Sequence, residues 1–197
     1  MDRASPYTLT TRPASDSLRR LTRFSREIGE IQDIRAIAER VLSGLSEITQ
    51  RREGSLYLAE HERADFRRLA EQGSLYTTST PPTLAADHPL VYQLARHQQI
   101  LDRSVCIDAT DPHAAHNLQP MLESLCSSIA IPLVNRGRLV AFVLLQSEGT
   151  AGDSDPDHME LLTAMAQSAA NALDSLLVYE DLRQSQTLMR RTDRLRS

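Results

Sequence analysis

The sequence has no lysine and no tryptophan, and only two cysteines and three phenylalanines among its 197 residues. With so few aromatic rings, any core must be built from aliphatic side chains. Cys106 and Cys126 do not make a disulfide framework, so a reducing compartment is the simplest expectation. The longest apolar run, Leu139 to Leu145, has seven residues, far too few to cross a bilayer. No hydrophobic stretch follows the first charges, so no signal peptide is expected and the cytoplasm is the expected location. All 22 basic side chains other than histidine are arginine, which reads as codon bias, and 26 acids leave a net charge of −4. That balance argues against a general nucleic-acid partner.

What is present alternates between two periods. Residues 1–15, with Pro6 and Pro13 among Ser and Thr, read as a disordered tail. From Asp16, Leu18, Leu21 and Ile28 recur at helical spacing, and Asp33 is placed to cap a second helix carrying Ile37, Val41 and Leu45. The segments 55–59 and 66–71 read as strands, and Pro89 opens a short helix with Leu90, Val91 and Leu94. Ile100 and Leu101 suggest a brief strand, 103–117 an irregular loop, and 120–125 one or two helical turns. Two apolar runs, 128–134 and 139–145, flank Asn135-Arg-Gly-Arg138 and predict a hairpin buried on both faces.

A final helix is expected from Asp155 and Pro156 onward. Leu162, Met165, Ala169, Ala172, Leu176 and Tyr179 alternate spacings of three and four along it, which is a coiled-coil seam. The register lapses after Tyr179, and the charge changes sign there. Seven acids and no arginine lie between Asp153 and Asp181, then five arginines and one acid between Leu182 and Ser197.

The order of elements, with Asp87-His-Pro-Leu90 and Ser128-Ile-Ala-Ile-Pro-Leu-Val-Asn-Arg-Gly-Arg-Leu139, resembles a GAF domain over about residues 16–180. The resemblance implies an α+β fold in which the terminal helices pack on one face of a central antiparallel sheet. A short helix and loops would roof a cavity on the other face. Residues 181–197 are similar to the signalling helix that leads into the output region of sensor histidine kinases. The phosphoacceptor histidine and ATP-binding domain of that family are not in this chain. It is therefore expected to be a sensor rather than an enzyme, a homodimer through its terminal helices, with any small-molecule ligand unidentified.

Several sites weigh against plainer readings. The cyclic-nucleotide motif of some GAF domains includes a lysine, which this chain cannot supply. Cys126 stands nearer the hairpin than the catalytic cysteine of the GAF-type methionine sulfoxide reductases, so an inert cysteine is the expectation; no Cys-His pair supports bilin attachment. His113 and His116 lack a third ligand and read as exposed loop residues. Asp153-Ser-Asp-Pro-Asp157 has His158 where a calcium loop needs glycine, and reads as helix capping. The Arg19, Arg20, Arg23 and Arg26 group, interspersed with acids, reads as a solvated helix face. No cofactor or metal is expected. On strand 128–134 the small side chains Ser128 and Ala130 mark the cavity side, with Tyr92, Arg103 and Cys106 as its polar rim; the alternative is a cavity filled by bulky side chains.

Overall fold

A computed structural model describes residues 12–60, 65–73, 80–103, 120–146 and 156–196. Helix α1 (Arg12–Gly29) begins four residues before the expected start. Pro13 is no obstacle, because the first helical turn has N–H groups without intrahelical partners in any case. Helix α2 (Ile34–Thr49) starts at the expected cap: Asp33 Oδ1 accepts a hydrogen bond from the Ala36 N–H at 2.7 Å.

Strands β1 (Glu53–Ala59) and β2 (Phe66–Gln72) pair antiparallel. A two-residue strand that periodicity cannot signal, β3 (Thr83–Leu84), adds to the β2 edge. Helix α3 (Pro89–His97) has Pro89 in its first turn and His88 as its cap, with Nδ1 accepting from Leu90 N–H at 3.3 Å. Strand β4 (Leu101–Asp102) is followed, after 104–119, by a helical turn at 120–124. Strands β5 (Ile129–Asn135) and β6 (Arg138–Gln146) form the expected hairpin, and helix α4 (Pro156–Arg196) ends the fold.

The sheet order is β3-β2-β1-β6-β5-β4, antiparallel at every junction. Strand β6 is central, and seven of its residues in a row are buried because both faces are covered. Arg136 and Gly137 both have positive φ, 49° and 75°, the conformation of the two-residue hairpin turns whose twist matches the strands. Strand β5 is paired on its outer side only at Ile129 and Ala130, opposite Asp102 and Leu101.

One sheet face carries α1, α2 and α4 over a core that includes Val41, Leu45, Ile131, Val143, Met165 and Ala169. The helices approach closely. A Cβ at Gly44 of α2 would stand 2.8 Å from the Phe24 ring of α1, and the Ser25 and Ser168 hydroxyls are 2.9 Å apart between α1 and α4. The opposite face carries α3 and the 120–124 turn over a second core.

Candidate functional site

The face beneath α3 is where a cavity is expected, and among the described residues a cluster of side chains packs there. The Tyr57 and Phe142 rings stack with centroids 5.0 Å apart and planes within 9°, and Phe66 leans on Phe142 at 5.3 Å. Leu90, Leu94, Leu122 and Leu144 surround them without exposure. The Tyr57 hydroxyl donates to the Pro81 carbonyl at 2.7 Å, and burial pushes its pKa up. Burial likewise lowers the pKa of His88, partly opposed by Asp87, which keeps its ring nitrogen able to accept at the cap.

Among the described residues, the expected pocket residues make separate contacts. Ala130 is fully buried in this second core. Ser128 Oγ accepts from Arg51 Nη1 at 2.6 Å and lies 3.2 Å from the Leu145 carbonyl. Arg51 also reaches Asp102 at 3.3 Å, an ion pair whose members are only 11% and 6% exposed; nothing in the local sequence pattern signals it. Arg103 pairs with Glu123 at 2.9 Å. Tyr92 is 52% exposed, on the outer side of α3, with Arg96 Nη1 donating to its hydroxyl at 3.0 Å. A side chain on that side of a helix cannot rim a space beneath it. Cys106 lies outside the described residues, as do His113, His116, Asp153 and Asp155.

Cys126 is partly exposed rather than buried, in a left-handed turn with φ 49°. On α1, Arg19 lies 4.0 Å from Asp16, while Arg23 Nε donates to Glu27 at 2.8 Å. Glu27 also accepts from Arg40 of α2, and the two guanidinium groups lower its pKa. Those pairs fit the solvated-face reading. Among the described residues, no three His, Cys, Asp or Glu side chains come together to hold a metal ion.

The second candidate region is α4, and here the seam divides. Leu162, Met165 and Ala169 are buried in the domain's own core, at 3%, 2% and 0% exposure, so they are not presented to another chain. A spacing of three and four marks the inward stripe of any packed helix. It cannot distinguish a sheet and two helices from a second copy. Ala172 and Leu176 are half-covered, and Tyr179 is exposed. Between Leu173, which is fully buried, and Arg183, the helix presents Val178, Tyr179 and Leu182 to solvent, each at least half exposed. Leu18 on α1 is exposed too.

Polar contacts tie both regions to the β5–β6 turn. Gln98, the left-handed cap of α3, donates from Nε2 to the Gly137 carbonyl at 2.9 Å. Across the same turn, Asp174 of α4 accepts from Asn135 Nδ2 at 2.8 Å and from Arg138 Nη2 at 2.6 Å. Gln167 Nε2 adds a bond to the Val134 carbonyl at 3.2 Å. A cleft of about 340 Å³ opens beside these contacts, between Gln98, Ile100, Val134, Met159 and Gln167.

A six-stranded antiparallel sheet with three helices on one face and a short roof helix on the other defines a mixed α/β architecture. A family model described as "GAF domain" matches residues 33–173, and the chain belongs to that family. Among solved structures it resembles the GAF domain of an Acinetobacter phosphoenolpyruvate-protein phosphotransferase, with TM-score 0.64 and 12% identity over 83% of this chain and 95% of that one. The GAF domain of a putative sensor histidine kinase from Pseudomonas syringae pv. tomato matches with TM-score 0.59 and 15% identity, over 87% and 94%. A free methionine-R-sulfoxide reductase from Neisseria meningitidis, in complex with its substrate, matches with TM-score 0.60 and 16% identity, over 91% and 97%. A search of curated proteins finds no match. Among the described residues, no helix is long and apolar enough to cross a membrane.

Proposed function

We propose that this GAF domain is a dimeric regulatory module that passes a signal through α4 to a histidine-kinase-type output, without being an enzyme itself. The observation that carries the reading is the continuation of α4 to Arg196, with residues 174–183 no longer fully buried after Leu173. A helix that leaves its domain loses the packing that supplies most helical stability in water. Val178, Tyr179 and Leu182 supply the apolar stripe through which a second α4 would restore it. The likeness to the putative sensor histidine kinase domain supports the choice of output.

Pairing in this reading rests on Leu176, Val178, Tyr179 and Leu182, with Leu18 a further exposed apolar residue on α1. A ligand, where one acts, enters between α3 and the sheet, against Ser128 and Ala130, by displacing side chains of the second core. Sedimentation equilibrium of the full chain tests the proposal. The parent is expected to be a dimer, and Val178→Glu with Leu182→Glu a folded monomer. A parent that stays monomeric at every accessible concentration overturns it.

A further inference from the structure

We propose that the β5–β6 turn is a mechanical relay between the roof helix α3 and the output helix α4, with Gln98, Gly137, Asn135, Arg138 and Asp174 as its members. The inference rests on the regulatory reading above and adds the path by which movement on one sheet face reaches the helix on the other. The two faces are separated by a sheet buried on both sides, so side chains on one cannot touch those on the other through it. The turn is one place where both are reached: Gln98 holds its Gly137 carbonyl from the α3 side, while Asn135 and Arg138 hold Asp174 from the α4 side.

The three connections differ in stiffness in the way a relay needs. Arg136 and Gly137 are locked at positive φ in a two-residue turn, so the loop moves with its strands as one piece. Asp174 is a carboxylate gripped by two donors, one of them charged, and it is only 14% exposed, which makes this the strongest of the links. Gln98 is exposed, holds a neutral amide bond, and sits at the left-handed residue that ends α3, where a small change of helix position is felt first. Asp174 also stands one residue after Leu173, where α4 is about to leave the core. Loosening it frees the part of α4 that continues beyond the domain.

Amide hydrogen exchange on the full chain tests this by a double-mutant cycle. Gln98→Ala is expected to speed exchange in α4 over residues 174–183 by about threefold to tenfold, the effect of losing one such restraint. Asp174→Asn is expected to do the same, and the double variant to show no more than the larger single effect. Gln99→Ala, beside Gln98, serves as the control and leaves exchange unchanged. Effects that multiply in the double variant, or no change in α4 from Gln98→Ala, overturn the relay. Sedimentation of the same proteins keeps the two proposals separable, since the relay can fail while the dimer persists.

Discussion

Ile131 lies opposite Val143 in the β5–β6 ladder and has no exposed surface. Ile131→Asp places a carboxylate where no donor waits, at a loss of about 4 kcal/mol or more, and the domain is expected not to fold. Urea denaturation followed by circular dichroism reads this directly; a folded variant of parental midpoint contradicts the placement. His88 gives a pH dependence whose sign follows from burial. Its folded pKa is lowered, so the unfolded chain takes up the proton first. The stabilisation is whole above the ordinary value of 6.5 and fades as pH falls below it toward the folded value, because the unfolded chain gains a proton that burial keeps off His88 in the fold. Loss of such a cap is worth about 1 kcal/mol. His88→Asn keeps an acceptor that does not titrate, so its melting temperature is expected to fall less than the parent's between pH 7 and pH 5.

At the scale of elements, local chemistry was legible and shared periodicity was not. Asp33, Pro89 and the Asn-Arg-Gly-Arg turn each act within a few residues, and the structure uses each as its chemistry suggests. The α4 seam misled because an inward stripe has the same spacing whatever covers it; Met165 and Ala169 meet the domain's own helices and sheet. The side of α3 that Tyr92 occupies was illegible for a related reason: it depends on which side of the helix meets the sheet, a tertiary fact. In a fusion to a kinase, inserting four residues after Leu182 is expected to alter output, and inserting seven largely to restore it, since seven keeps the heptad phase. Equal outputs from the two insertions would mean that α4 transmits no phase.

For the whole molecule, the layers were legible because a GAF-like order of elements leaves few ways to cover one sheet. The packing partners on the second face were not, because stacking of Tyr57 on Phe142 joins residues far apart in the chain. Zinc added to the purified protein is expected to leave its melting temperature unchanged. A saturable rise abolished by His113→Ala with His116→Ala would instead assign a metal site to those histidines.

The outer side of β5 has one further consequence. Its pairing with β4 stops at Ala130, and the Ser128 and Val134 carbonyls both point outward, one to Arg103 N–H and the other to Gln167. Alternation along the strand turns the position of Pro132 outward as well, where a missing N–H breaks no bond within the sheet. An incoming strand would find a gap at that point of the template, and Gln167 already occupies the next acceptor. Growth by strand addition along this side of β5 is therefore opposed by an imino acid and the amide beside it. Pro132→Val, which restores the donor and raises strand propensity, is expected to fold normally yet scatter light on prolonged incubation, while the parent stays clear.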